Sequence, residues 1–402
     1  MLSPVVKNIR PESEVLFLAP RRRLRPTEVA RMRELLRGPI DWHFFCEQAC
    51  RHGVLALVLA GLKREDCLDL VPEAPRHALE SAVRENMARS LALTGELLRI
   101  LRTFAREEIP AIPCKGPALG VAAYGDFSHR TYCDLDILVP EELLPRARDV
   151  MATMGYRTWT PMNHEQERNY LKTECALQVH NQKHGYVVEL HWRFTERNAS
   201  VALPVAAFQE RCTTLSLAGM TVPTLCREDL LLYLCVHGAK HRWERLEWIN
   251  CFAELIRRNP DMDWAALEQR AKAYRIVRLL YLGLRLANAL LGAELPAAVE
   301  RRVEAEESAD ALARWVAEGL FAPPVDETHY QQRARQYWFM LRSRERWTDR
   351  FRIVLYSAIR PPHPDASEWI NLPPQLAFLH HVFRPVRLLS EYSAVAWKHY
   401  LR

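Results

Sequence analysis

Residues 133–139 read Cys-Asp-Leu-Asp-Ile-Leu-Val, and two carboxylates set into so apolar a run restrict what the chain can fold into. In extended backbone, side chains alternate between faces, so Asp134, Asp136 and Leu138 share one face while Leu135, Ile137 and Val139 share the other. The second face is purely apolar and must pack on helices. The first presents two carboxylates roughly 7 Å apart along the strand, at about 3.3 Å of rise per residue. Such a pair repels and needs a counter-charge. A divalent cation supplies one. Mg²⁺ takes oxygen ligands and keeps waters and substrate phosphates, which suits a site with few carboxylates; Mn²⁺ is the alternative.

Two further stretches belong with this strand. Val187-Val188-Glu189-Leu190-His191-Trp192 places Glu189 and His191 on one face, opposite Val188, Leu190 and Trp192. Glu189 is therefore the candidate third metal ligand or general base, with His191 placed to touch a phosphate or orient that base. Upstream, Lys115-Gly116 closes the apolar stretch Ile109–Cys114. A glycine at a strand-to-helix turn lets backbone approach an anion, and the following helix N-terminus offers free N–H groups. Lys115 adds a point charge suited to a triphosphate, and Arg130 is a second candidate for phosphate contact.

Around this unit the chain divides into four. Residues 1–108 form an N-terminal helical region. Within it Thr27 is expected to cap one helix and Asp41 another, and from Pro75 the repeat Leu79, Val83, Met87, Leu91 continues to Leu98 and Leu101 as one apolar stripe, weakest at Thr94-Gly95. Residues 109–226 alternate strand, helix, strand, helix, strand, strand. Pro110 and Pro113 make the first strand an edge or a strand end, and Pro140 opens a helix ended by Gly155. Residues 227–320 return to helical spacing. Residues 321–402 form a mostly helical basic extension with a Pro-rich turn at 360–364. The arginines of 333–360 are interleaved with Tyr337, Trp338, Phe339 and Trp347. This is either a surface for nucleic acid or an acidic partner, or, as expected here, a solvated helix face whose aromatics form a buried stripe.

The run Lys115-Gly116, Ala118-Leu119, Tyr124-Gly125-Asp126, Arg130 and Asp134–Val139 resembles the uncharacterised nucleotidyltransferase family of the DNA polymerase β-like superfamily. So do Glu189-Leu190-His191-Trp192, the stretch Leu230–Trp243 with His237 and His241, and, more weakly, Leu372-Pro373 and Arg384-Pro385. The resemblance implies an α+β fold, a small mixed-sheet core flanked by N-terminal helices and a C-terminal helical region. It also implies Mg²⁺-dependent transfer of a nucleoside monophosphate from an NTP to an acceptor hydroxyl. Asp134, Asp136 and Glu189 would hold the metal, and Lys115 with Gly116 the phosphates. The chain has Lys-Gly where the superfamily usually has Gly-Ser, Glu189 where Asp is more usual, and Cys251 where relatives often carry an acid. The alternative is a non-catalytic descendant that binds nucleotide or a partner.

Composition excludes little else. A net charge of +6 does not by itself point to nucleic acid, so the expected partners are an NTP and a small-molecule, sugar, peptide or protein acceptor. None of the ten cysteines forms a C-x-x-C pair, which leaves zinc unsupported. His237 and His241 stand one helical turn apart without a third ligand, as packing or a polar cleft lining. The longest apolar runs, Val54–Ala60 and Leu230–Val236, are too short to span a bilayer. No secretory pattern opens the chain, and the expected location is a reducing cytoplasm.

Overall fold

The computed structural model describes residues 9–159, 170–196, 201, 203–322 and 329–359. The Pro-rich turn at 360–364 and the Leu372-Pro373 and Arg384-Pro385 pairs lie outside them.

A five-stranded mixed sheet carries the carboxylates. Its strands are β1 (Ile112–Pro113), β2 (Asp134–Leu138), β3 (Tyr156–Thr158), β4 (Ala176–Asn181) and β5 (Val187–His191), in the order β1-β2-β5-β4-β3. β2 and β5 pair in parallel, with Asp136 opposite Glu189 and Leu138 opposite His191. The other pairings are antiparallel. β1 is a two-residue edge, as its prolines dictate. The fold is thus the α+β arrangement expected, a small mixed sheet among many helices.

The alternation in β2 decides the two layers. Leu135, Ile137 and Val139 are fully buried with Val188 and Leu190. They pack on the C-terminal half of α5 (Glu73–Arg106), on α7 (Leu144–Thr153), and on a hairpin of β6 (Thr213–Leu217) and β7 (Met220–Thr224). Leu138, on the carboxylate face, joins a second cluster. That cluster unites the N-terminal helices α1 (Pro11–Leu18), α2 (Pro26–Arg37), α3 (Trp42–Arg51) and α4 (Leu55–Arg64) with α6 (Gly116–Tyr124) and the helices from 227 onward. These last are α9 (Arg227–Lys240), α10 (Leu246–Arg258), α11 (Trp264–Ala273), α12 (Val277–Leu291), α13 (Ala297–Glu304) and α14 (Glu307–Leu320). The N-terminal and C-terminal helices therefore share one core, and the carboxylate face of the sheet looks toward it. The short α8 (Val205–Glu210) precedes the hairpin.

Several local expectations are corrected. α2 begins at Pro26 with Arg25 at the cap, so Thr27 lies inside the first turn; proline is favoured there because its missing N–H costs nothing. α5 runs unbroken through Thr94-Gly95, with the Thr94 hydroxyl donating to the Ser90 carbonyl. Met87 and Leu91 stand 58% and 61% exposed, so the apolar stripe does not continue through them; the buried side turns to Ser90, Leu93 and Leu97. In α15 (His329–Arg342) and α16 (Trp347–Ile359) the aromatics form no buried stripe: Phe339 is buried, but Trp347 and Phe351 are 74% and 57% exposed. No helix among the described residues is long and apolar enough to cross a membrane.

Candidate functional site

The turn between β1 and α6 brings the first cation in. Gly116 has φ +56°, a left-handed conformation that favours glycine, and Pro117 follows in the first turn of α6. The strand extends one bond further, Cys114 N–H donating to the Asp136 carbonyl at 3.0 Å. Lys115 is thereby set beside β2, and its Nζ lies 2.8 Å from Asp136 Oδ1. α6 ends at Gly125, φ +79°, and the Asp126 carboxylate accepts from Ser128 N–H and Oγ–H, fixing the return to β2.

β5 brings the second carboxylate. The parallel register puts Glu189 directly across from Asp136, and His191 one alternation on. His191 Nε2 lies 3.1 Å from Asp136 Oδ1 and 3.2 Å from Glu189 Oε2. Gln178 on β4, opposite Glu189, donates to its Oε1 at 3.3 Å. Donor atoms of Asp136, Glu189 and His191 all lie within 4.8 Å of one another, as a metal site requires.

Charge is uneven across this group. Burial would raise the Asp136 carboxyl, but Lys115 and His191 outweigh it and hold Asp136 well below the usual carboxylate range. Burial opposes charge on His191 too, yet Asp136 and Glu189 push its imidazole well above the ordinary value, so it is a cation. The bond from His191 lowers Glu189. Asp134 is the exception: burial, then the charges of Asp136 and Glu189, push it up to about 6. It lies on the same face, one alternation before Asp136, and stands outside the 4.8 Å cluster. Of the residues named from the sequence, the structure thus gathers Lys115, Asp136, Glu189 and His191, with Asp134 alongside.

Arg130 takes a different place. Its side chain is 6% exposed and pairs with Glu247 on α10, and Nη1 donates to the Gly116 carbonyl at 3.2 Å. The guanidinium expected to meet phosphate is committed to holding the Lys115-Gly116 turn against α10. Cys251, one turn beyond Glu247, is buried and receives the Tyr124 hydroxyl at 3.3 Å, away from the carboxylates.

Tyr233 and Gln178 are the neighbours that sequence reasoning missed. Burial, then the charges of Asp136, Cys114 and Glu189, push the Tyr233 hydroxyl well up, so it feels the carboxylate group. Tyr233, His237 and His241 recur every four residues on an otherwise apolar helix, and that spacing was the available signal. The carboxylates offer hard oxygen donors suited to Mg²⁺; with the His191 nitrogen freed of its proton among them, the set also fits Mn²⁺. Beyond the ends of β2 and β5 a cavity of about 940 Å³ opens between Arg193, Glu196, Tyr274, Asp349 and Tyr356.

The fold, a small mixed sheet among many helices, is that of an α+β nucleotidyltransferase core. The chain belongs to the uncharacterised nucleotidyltransferase family, whose family model matches residues 38–292. That span takes in the sheet, the Lys115-Gly116 turn and helices α9 and α10. No curated protein and no solved structure matches the chain.

Proposed function

We propose that the protein is a divalent-cation-dependent nucleotidyltransferase that moves a nucleoside monophosphate from an NTP to an acceptor hydroxyl. The observation that carries this is the meeting of Asp136 and Glu189 across the parallel β2–β5 pair, with Asp134 raised to about 6 beside them. A buried acid pushed up by its neighbours is what a site built for a cation looks like before the cation's charge is supplied.

Asp134, Asp136 and Glu189 would hold Mg²⁺ or Mn²⁺; His191, a cation while no ion is there, would have to give up its proton to serve as a further donor. When bound, the ion supplies charge neutralisation for the phosphates and for the leaving pyrophosphate. Lys115 and the first N–H groups of α6 bind the triphosphate. Glu189 or a water it holds accepts the acceptor's proton as the new oxygen–phosphorus bond forms at the α-phosphate. The bond to the β-phosphate breaks, and pyrophosphate leaves with its electron pair. We place the enzyme in the cytoplasm, where these free thiols would stay reduced.

The test is transfer of label from α-³²P NTPs in cognate lysate with Mg²⁺ or Mn²⁺. Labelling that persists in the Asp134→Asn, Asp136→Asn double variant would sink the assignment.

One observation favours a second reading. Lys115 and His191 already neutralise Asp136 within the protein, so a non-catalytic descendant could bind nucleotide without metal. Calorimetry with ATP discriminates: affinity that ignores Mg²⁺ supports this second reading.

A further inference from the structure

Within electrostatic reach of Lys115 and the carboxylates stand two histidine rings, packed with a tryptophan, that the proposed transfer does not use. His237 and His241 lie at the end of α9, ring centroids 4.8 Å apart, and Trp248 on α10 stands 5.3 Å from each. All three are partly exposed, unlike the leucines around them. The ring nitrogens of His237 and His241 have no hydrogen-bond partner among the described residues.

We propose that His237, His241 and Trp248 form the face against which the nucleobase of the triphosphate rests, an inference that itself rests on the nucleotide site proposed above. A nucleoside triphosphate is strongly anionic at one end and planar and uncharged at the other. The protein offers the matching sequence of surfaces: Lys115 among the carboxylates, then uncharged rings next to it. Burial, together with the charges of Lys115 and His241, lowers His237 well below its ordinary value. Burial, with Lys240 and Lys115, lowers His241 to about 4. Both are neutral imidazoles at neutral pH, each with one donor and one acceptor nitrogen for a base edge or a ribose hydroxyl. Trp248 supplies the stacking surface, which serves any base because every base has a π-face.

The platform is held in place at some cost. Arg242 and Trp243, directly after His241, both have φ +54°, a conformation that side-chain-bearing residues keep only where packing over-determines it. Trp243 is fully buried against Gly238, where a Cβ would meet its ring at 2.5 Å. A metal site on the same histidines lacks a third donor; among the described residues the group able to hold an ion is that of Asp136, Glu189 and His191.

The experiment is calorimetry on the full chain with Mg²⁺-ATP and Mg²⁺-tripolyphosphate, for the unmodified protein and for Trp248→Leu. The unmodified protein should bind ATP at least tenfold more tightly than tripolyphosphate. Trp248→Leu should lose about tenfold or more for ATP and keep its tripolyphosphate affinity, which also shows that it is folded. Equal ATP affinity in both proteins, or equal loss of both ligands, overturns the platform while leaving the nucleotide site standing. If the unmodified protein binds neither ligand, the nucleotide reading falls and the platform with it. Saturation-transfer NMR on the unmodified protein gives a check free of folding artefacts: the base protons should receive the strongest transfer, and transfer confined to the ribose overturns the proposal.

Discussion

The Arg130 guanidinium and the Glu247 carboxylate meet out of reach of water, 117 residues apart in the chain. Burial works against the charge on Arg130, but Glu247 outweighs it and keeps the guanidinium a cation. The same Glu247 accepts no side chain at Gly53, where a Cβ would meet its Oε2 at 2.8 Å, and its N–H donates to the His52 carbonyl. One ion pair therefore ties the Lys115-Gly116 turn, α10 and the end of α3. Removing one partner strands a buried charge, so Arg130→Ala or Glu247→Ala should cost about 3–5 kcal/mol in urea unfolding. The double variant Arg130→Met, Glu247→Leu should recover most of that. A double variant as unstable as either single one would show that the pair is not what holds these elements together.

Burial and the neighbouring carboxylates make a charged Asp134 costly. Its carboxyl stands at about 6 in the fold against an ordinary 3.8, so folding favours the protonated form. The metal-free protein should lose stability from this group as pH rises from about 4 to 6, and stay at the lower level above. Asp134→Asn should therefore stabilise the metal-free protein at pH 7.5, by an amount on the order of 1–3 kcal/mol, and abolish stabilisation by Mg²⁺. Thermal melts in EDTA and in Mg²⁺ read both. An Asn variant that is less stable in EDTA and still responds to Mg²⁺ contradicts this.

On the proposed reading, Lys115 and a cation would compete for Asp136. The ammonium lies 2.8 Å from Oδ1. Lys115→Met should raise affinity for Mn²⁺ alone, by about tenfold, while weakening Mg²⁺-ATP by a similar factor, since a close opposite charge at partial burial is worth a few kcal/mol at most. Electron paramagnetic resonance of free Mn²⁺ measures the first effect and calorimetry the second. Parallel losses of both would mean that Lys115 only supports the fold.

His52 is buried and neutral, lowered to about 4 chiefly by burial, and its Nδ1 accepts the Leu246 N–H at 3.2 Å. The unfolded chain takes up a proton near 6.5 that the fold refuses. The stability this group contributes is complete above 6.5 and is lost as pH falls toward 4. His52→Asn, which keeps an acceptor, should flatten that part of the pH profile. An unchanged slope assigns the loss to other groups.

Gly238 sits where Trp243 presses on α9, with ring atoms at 2.5–2.6 Å from a built Cβ. Gly238→Ala gains helix propensity but must displace a large buried ring, and should cost about 1–3 kcal/mol net by urea unfolding. A neutral or stabilising result would show that Trp243 has room to move.

What the sequence revealed and what it hid follows from the range of the forces involved. The faces of β2 and β5 were legible because alternation is local, and Asp134, Asp136, Glu189 and His191 could be placed on one side before any tertiary contact was known. α11 fell on Trp264–Ala273 as its spacing implied. Arg130 could not be read correctly, because its partner lies on α10 and nothing near Arg130 in the chain announces it. Met87 and Leu91 were misassigned for the same reason: a helical stripe shows which side could be buried, and the neighbouring elements decide which side is. α1 and the β6–β7 hairpin were missed although their signals were present. Pro11 opens a buried apolar helix, and Ala218-Gly219, both at positive φ, join two alternating strands.

The pairing of β2 with β5 also bears on how the molecule comes together. Asp136 and Glu189 are contributed by segments more than fifty positions apart, and they become neighbours only once the intervening chain has been laid down and the parallel ladder has closed. A chain with all its helices formed but that ladder open would have no place for an ion. On the proposed reading, affinity for a divalent cation would be a gauge of completed assembly, one that circular dichroism, which counts mostly helix in such a protein, would fail to register.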